Sequence, residues 1–430
     1  RQFYKPFENA VTQDGLISVL RYGFKHRGIN FRVCYFKPES ELNDLAVENY
    51  KKNVCQCIRQ WHYSEQNTNS IDMLLALNGI PVIAIELKNQ LTGQSVDDAK
   101  KQWAYNRNPK EPVFGFNKRI LAYFACDLYD VYMTTRLDGP MTNFLPFNQG
   151  SNGAGRDGGA GNPPNPTGGY VTSYFWENVL QKDNLMDILQ KFISYEKTEK
   201  KEVMPDGSTN IKKTEKIIFP RYHQLDVVRE LVRHVRENGP GHNYLIQHSA
   251  GSGKSNSIAW TAYRMASLHD SNNEAVYDSV IVVTDRRVLD QQLQATISSF
   301  DHTLGSVETI DDKKSSKDLL NAINKGKRVI VTTLQKFPVI YEQVQSAVGK
   351  HYAIIVDEAH SSQTGQSAMK LKAALADVSD ALEEYAELEQ KAVDEIEAKD
   401  ILVQDMLSQG KHNAKLPTPS RTRLSCPSQV

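Results

Sequence analysis

The sequence predicts an α/β protein built in successive zones, on three observations. Residues 1 to about 145 mix short β-rich runs with helical stretches. From about Phe219, apolar runs of four to seven residues alternate with helical periods. Residues 366 to about 408 repeat apolar residues at spacings of three to five against an acidic, alanine-rich background. The first two patterns read as strands interleaved with helices, the third as an amphipathic helix or helical hairpin.

In the first zone the candidate strands are FRVCYF at 31–36, IDMLLAL at 71–77, PVIAIEL at 81–87 and RILAYFA at 119–125. Residues 148–169 are rich in Gly, Asn and Pro and predict a loop. A helical stretch, FWENVLQKDNLMDILQKFISY, follows. The Lys/Glu run at 196–216 reads as a solvated linker or hairpin. In the second zone YLIQ at 244–247 leads through a Gly-rich turn into the helix SNSIAWTAYRMASL. SVIVVT at 279–284, RVIVTT at 328–333 and YAIIVDE at 352–358 are almost continuously apolar, which suits strands covered on both faces of a parallel sheet. The acidic stretch carries Leu371, Leu375, Val378, Leu382, Tyr385, Leu388, Val393 and Ile396 on its apolar side. The last residues lack periodicity and predict a disordered tail.

Composition narrows the function. At 430 residues the chain has room for two or three domains. Lys plus Arg equal Asp plus Glu at 51 each, so bulk basicity cannot hold nucleic acid, although a local basic groove still can. No apolar run approaches the ~20 residues needed to span a bilayer, and no leader pattern is present. The five cysteines are odd in number and form no paired CxxC set, which argues against a disulfide framework or structural zinc and points to a reducing cytoplasm.

His248-Ser-Ala-Gly-Ser-Gly-Lys-Ser255 follows a predicted strand and opens a predicted helix. Glycines at 251 and 253 let backbone N–H groups, with that of Ser252, curl around phosphates, and the helix N-terminus adds positive partial charge. In this context Lys254 reaches the β- and γ-phosphates and the Ser255 hydroxyl ligates Mg2+. His248 stands where the usual pattern has its first glycine. Asp357-Glu-Ala-His360 closes an apolar strand about 100 residues later, at the end that faces the ligand crevice of an open α/β sheet. There Asp357 holds Mg2+ through water and Glu358 orients the attacking water.

The first zone holds a second constellation, Asp72 followed after 13 residues by Glu86-Leu-Lys88. Glu86 and Lys88 lie two apart on a strand and share a face. Two carboxylates can take a divalent metal, and an adjacent lysine can stabilise charge on a phosphodiester. Alone, the pattern also fits exposed residues of an edge hairpin. The Asn78-Gly79 turn sets the geometry. A two-residue loop turns Asp72 away from Glu86, so the chemistry requires a three-residue loop at 78–80 pairing Leu77 with Pro81, or a bulge with the same effect.

The stretch 219–363 resembles the first motor domain of superfamily-two helicases and translocases. Besides the phosphate loop and Asp357-Glu-Ala-His360, Arg221-Tyr-His-Gln224 stands where that family keeps an adenine-reading Gln. Val283-Thr-Asp-Arg-Arg-Val-Leu-Asp-Gln-Gln292 and Val331-Thr-Thr-Leu-Gln-Lys336 resemble its motifs Ia and Ib. The resemblance implies DNA-backbone contacts at Arg286, Thr333 and Gln335. With a motor downstream, Asn78-Gly-Ile-Pro-Val-Ile-Ala-Ile-Glu-Leu-Lys88 is similar to the PD-(D/E)xK hairpin of the motor-nuclease (R) subunit of type I restriction enzymes. Asp97-Asp-Ala-Lys-Lys-Gln-Trp-Ala-Tyr105 resembles the helix that follows it, which carries a QxxxY motif in that family. Here the spacing is one short, so Gln102 carries over better than Tyr105, and Ile71 replaces the usual Pro before Asp72.

The resemblance covers about residues 1–363. It implies a restriction-endonuclease-like, mixed-sheet nuclease domain at 1–175, a helical and charged connector at 176–218, a RecA-like parallel-sheet motor at 219–366, an acidic helical segment at 367–410 and a tail at 411–430. It also implies ATP and Mg2+ as cofactors, double-stranded DNA as substrate, and methylase and specificity subunits as partners. The second motor domain of the family is not in this sequence, which leads us to expect weak nucleotide binding and little hydrolysis. Two rival readings remain, a methylase-independent repair or phage-defence helicase–nuclease and a non-catalytic DNA-binding or assembly module. Three further signals carry little. Gly153-Ala-Gly-Arg-Asp-Gly158 has no strand before it, Cys55-Gln-Cys57 has no second pair, and His223, His234 and His248 form no ligand spacing.

Overall fold

The computed structural model describes residues 3–39, 42–150, 160–203, 209–248, 251–284, 296–297, 307–310, 314, 316–333, 350–357, 401–408 and 424–425. The chain forms two compact units, Arg1–Ser151 with Ala160–Tyr222, and Asn152–Gly159 with His223–Val430.

The first unit begins with helices α1 (Tyr4–Asp14) and α2 (Leu16–Tyr22), a small hairpin of β1 (Phe24–His26) and β2 (Ile29–Phe31), and α3 (Asp44–Lys51). Its main sheet has six strands in the order β3 (Cys55–His62), β4 (Ser70–Leu77), β5 (Ile80–Leu87), β6 (Ala122–Cys126), β7 (Val131–Thr134) and β8 (Leu145–Pro146). All neighbours are antiparallel except β5 and β6, which run parallel and are joined through helix α4 (Val96–Tyr105). The sheet is therefore mixed, as the family resemblance implies.

β6 is buried along its whole length because both faces are covered. On one face Tyr123 and Ala125 join Ile71, Leu74, Ala84, Val96, Ala99, Trp103 and Phe114 in a core under α4. On the other, Phe124 meets Phe147, Phe175 and Phe219 edge-on or tilted, with centroids 4.7–5.7 Å apart. α4 starts at a capping box of Ser95 and Asp98. Its buried positions Val96, Ala99 and Trp103 fall on one stripe, and the Trp103 indole N–H donates to the Phe124 carbonyl at 2.9 Å. Short helix α5 (Lys182–Asp187) follows, and the Lys/Glu run becomes a regular hairpin of β9 (Ser194–Val203) and β10 (Thr209–Ile218).

From His223 onward, helix α6 (Tyr222–Asn238) opens the second unit, and its Leu225, Val228, Leu231, Val232 and Val235 are buried at helical spacing. Its sheet runs in the order β13 (Val307–Thr309), β14 (Val329–Thr333), β12 (Ser279–Thr284), β15 (His351–Asp357), β16 (Ile401–Ser408), β11 (Tyr244–Gln247) and β17 (Leu424–Ser425). The first four are mutually parallel. β12 and β14 are buried at every position and β15 at all but its first, which explains the unbroken apolar runs. Helix α7 (Lys254–Ala266) packs against β12, β14 and β15, and α8 (Ser316–Asn324) precedes β14.

The acidic stretch departs from expectation at its end. Ile401–Ser408 is a strand, antiparallel to both β15 and β11, where a helix is predicted through about 408. The Ile-Leu-Val run that opens it suits pairing on both edges better than one helix face. Residues 366–400, expected to be helical, lie outside the described residues, as does the tail apart from Leu424–Ser425. Among the described residues no helix is long and apolar enough to cross a membrane, and the described cysteines are free.

Candidate functional site

In the first unit the site is built by strand register. Asn78 and Gly79 both take positive φ, 51° and 81°, and close a two-residue turn with Leu77 opposite Ile80. The expected three-residue loop is not formed. The alternative, a bulge, is. Ala76 pairs with Pro81 but Leu75 pairs with Ile83, so Val82 is the extra residue. Pro81 has no N–H for the ladder, which makes its neighbour the natural place for the irregularity. The pairing then runs Leu74 with Ala84 and Met73 with Ile85. Carried one residue further, it sets Asp72 against Glu86.

Glu86 is fully buried. Its Oε1 accepts from Arg107 Nη2 at 2.5 Å and Nε at 3.1 Å. Its Oε2 is buried with no hydrogen-bond partner. Burial pushes the carboxyl up to about 8; Arg107 opposes the shift and the nearby Asp72 carboxylate adds to it. Asp72 is half-buried. Its Oδ1 accepts from the Gln60 amide at 3.0 Å, and its Oδ2 from the Leu87 N–H at 2.9 Å.

The Lys88 N–H donates to the Cys126 carbonyl at 2.9 Å, so strand geometry persists past Leu87 and returns Lys88 to the face of Glu86. Lys88 Nζ donates to Gln102 Oε1 at 2.5 Å, from helix α4 above. The structure thus gathers Asp72, Glu86, Lys88 and Gln102 on one face. Tyr105 is 67% exposed and takes no part, in line with the shortened spacing.

Sequence reasoning missed Gln60 and Arg107. Gln60 is marked by φ 48° inside a strand, which no sequence pattern announces. Arg107 follows α4 and enters the site only because that helix packs over β5.

An orphaned buried acceptor facing a second carboxylate is what a divalent cation fits. Among the described residues no cluster of three or more His, Cys, Asp or Glu gathers, so two carboxylates are the acidic donors. That suits Mg2+, which is commonly held by one or two carboxylates with water and substrate phosphate completing its shell.

In the second unit Gly251 and Gly253 take φ 74° and 84°, and α7 begins at Lys254. A Cβ at Gly253 would sit 2.4 Å from the Gln224 amide nitrogen and displace it, and the left-handed φ itself favours glycine there. Gln224 is buried and donates to the Gly253 carbonyl at 2.9 Å. Lys254 Nζ lies 3.1 Å from Asp357 Oδ1, both side chains largely buried. Lysine, aspartate and loop thus meet at the carboxyl end of β15. Ser255 lies in the first turn of α7.

Two histidines, dismissed above as ligands, shape the loop. His223 Nε2 donates to the Ser252 carbonyl, and His248 Nδ1 lies against the Ser252 hydroxyl, each at 3.1 Å. Burial, then the nearby His223 and Lys254, holds His248 down to about 3. Its place at the missing first glycine was the available signal. Thr333 ends β14 and is buried. Glu358, Arg286 and Gln335 lie outside the described residues.

Residues 22–141 match the family model of the type I restriction enzyme R protein N terminus, and residues 223–380 that of the SWI2/SNF2 ATPase. Among curated relatives, the HindI type I restriction enzyme endonuclease subunit of Haemophilus influenzae is 26% identical over 313 residues, covering 68% of this chain and 26% of that protein. The SauCOLORF180P endonuclease subunit of Staphylococcus aureus is 23% identical over 340 residues, covering 76% of this chain and 31% of that protein. The chain therefore spans under a third of the length of these relatives. Both family models match in the order the motifs predict, and together with these relatives they support an HsdR-type N-terminal region in this chain.

Proposed function

We propose that this chain cleaves double-stranded DNA with Mg2+ and couples that cleavage to ATP-driven translocation, within a complex that includes methylase and specificity subunits. The observation that carries the nuclease half is the Glu86 carboxylate, buried beside Asp72 with Oε2 unpartnered and Lys88 on the same face. In this reading Asp72 and Glu86 hold Mg2+. Bound there, it supplies charge neutralisation and a hydroxide source at neutral pH. Lys88 sets its ammonium against the scissile phosphate, where negative charge grows during attack. Gln102 holds that ammonium in place through its carbonyl oxygen.

The second unit is, in the same proposal, a RecA-like first motor domain. Gly251, Ser252 and Gly253 cradle phosphate, Lys254 neutralises it, and Ser255 with Asp357 takes Mg2+. Glu358 orients the attacking water, Gln224 borders the adenine, and Arg286, Thr333 and Gln335 follow the DNA backbone. The Lys254–Asp357 pair supports the reading, since a phosphate entering the loop gives the lysine a second anionic partner. Sequence specificity falls to the partners, and the chain works in the cytoplasm.

The test is nicking of supercoiled plasmid by the purified chain. Mg2+-dependent nicking lost on Lys88→Ala, with ATP-analogue binding lost on Lys254→Ala, is the expected pair of results. Nicking that survives Lys88→Ala overturns the nuclease assignment. Co-purification without any methylase would favour the stand-alone helicase–nuclease instead.

A further inference from the structure

We propose that Gln60 and Arg107 are positioning residues of the nuclease site, each fixing one of the two carboxylates that take the divalent cation. The proposal rests on the nuclease reading above and names residues it does not use. Gln60 breaks the regularity of its strand. Arg59 pairs with Met73 and Trp61 with Ile71, so Gln60 is the residue left opposite Asp72. It takes φ 48°, a left-handed conformation unfavourable for a residue with a side chain. A strained residue inside an otherwise regular ladder, beside a reactive group, is a pointer to function. Here the distortion brings the Gln60 amide to Asp72 Oδ1. The amide's orientation is fixed from its other end, because Gln60 Oε1 accepts from the Ser70 hydroxyl at 2.8 Å. A carboxylate only accepts, so the amide nitrogen must face Asp72.

Arg107 does the matching work on Glu86. Nε and Nη2 both donate to Oε1, which leaves Oε2 as the one unpartnered oxygen. Nη2 also donates to the Ser70 carbonyl at 2.7 Å. The guanidinium is 5% exposed and lies near the faces of Tyr63 and Trp103, 5.5 and 5.9 Å from their centroids. Ser70 is thus shared. Its hydroxyl anchors Gln60, its carbonyl anchors Arg107, and it stands two residues before Asp72 on the same strand. One network orients both carboxylates from behind. A buried Arg–Glu pair can exist for the fold alone. What argues beyond that is that Arg107 leaves Glu86 Oε2 open and that both donors converge on the same serine.

The experiment is titration of the full 430-residue chain with Mn2+ as probe, by calorimetry and water-proton relaxation, for wild type, Gln60→Leu, Arg107→Lys, Arg107→Met and Asp72→Asn. Thermal midpoints confirm folding. The nuclease site is defined as the binding component that Asp72→Asn removes. We expect Gln60→Leu and Arg107→Met to weaken that component on the order of 10- to 100-fold, the usual cost of losing an outer partner of a metal ligand. Arg107→Lys, which keeps the charge, should recover part of it. If folded Gln60→Leu and Arg107→Met bind with wild-type affinity while Asp72→Asn does not bind, the positioning roles are wrong and the nuclease reading stands. If Asp72→Asn binds as wild type, the metal reading of the site is wrong and this proposal falls with it. Should the Arg107 variants fail to fold, Gln60→Leu, at an exposed residue, decides alone.

Discussion

The two units treat their key carboxylates in different ways. In the first, Asp72 and Glu86 are held by an amide, a backbone N–H and a guanidinium, and the lysine of the site is turned to a third group, Gln102. One carboxylate oxygen stays open. In the second, Asp357 faces the site's own lysine at 3.1 Å. Under the proposed function, the first arrangement is preorganised for a cation by strand register. The second pairs its charges with each other, and binding must rearrange that pair. The comparison teaches that a site built across a β-ladder can be complete before its ligand arrives, whereas a loop site at a strand end is completed by the ligand.

The largest expected effect comes from removing what holds α4 over the sheet of the first unit. Trp103 is fully buried in that core, and Trp103→Ala should destabilise the first unit by about 3–5 kcal/mol. Calorimetry should show one transition moving and the other staying. A common shift would mean the two units fold as one. Next, Lys88→Ala should lower nicking by roughly 100- to 1000-fold, the scale of losing one preorganised donor to developing charge, while leaving ATP-analogue binding unchanged. Equal losses in both assays would erase the distinction between the sites. Smaller again, Gly79→Ala puts a Cβ on a residue with φ 81° in open space, so backbone strain alone should cost about 1–2 kcal/mol in denaturant unfolding of the first unit. A neutral result would show that the turn does not set the register.

The finest distinction is a pair of pH slopes of opposite sign. Glu86 is raised from its ordinary 4.5 to about 8, so the folded first unit keeps a proton that the unfolded chain releases. Its contribution is fully present below about 4.5 and is lost as pH rises through about 8. His248 is lowered from 6.5 to about 3, so the folded second unit refuses a proton that the unfolded chain accepts. Its contribution is present above about 6.5 and is lost as pH falls toward 3. Denaturant midpoints against pH, compared with Glu86→Gln and His248→Asn, should flatten each slope separately. A slope unchanged by its own substitution would assign the titration to other groups.

Much of this was legible in the residues. The Glu86-Leu-Lys88 alternation and the Gly251–Ser255 loop encode their own geometry, because a period of two and a strand–turn–helix junction are local properties. The hairpin was legible only up to a choice: Asn78-Gly79 fixes a tight turn, yet Pro81 moves the register at Val82, and that outcome depends on both strands together. Gln60, Arg107 and His223 were not legible in role, since each acts through a contact across the sheet or between elements, whereas His248 acts within its own loop and was marked only by its place at the missing glycine. The strand at Ile401–Ser408 was missed for a related reason. Helical spacing upstream says nothing about a β-branched run that pairs with β15 and β11.

The central claim is that two separable chemistries share this chain, and a plasmid assay tests it most directly. Wild type, Asp72→Asn and Lys254→Ala would be compared with Mg2+ throughout, with and without ATP, alone and with methylase and specificity subunits. For the chain alone, cutting that requires Asp72 but neither ATP nor Lys254 is the predicted result. Cutting by the isolated chain that fails equally in Asp72→Asn and Lys254→Ala, or that survives Asp72→Asn, would contradict the account.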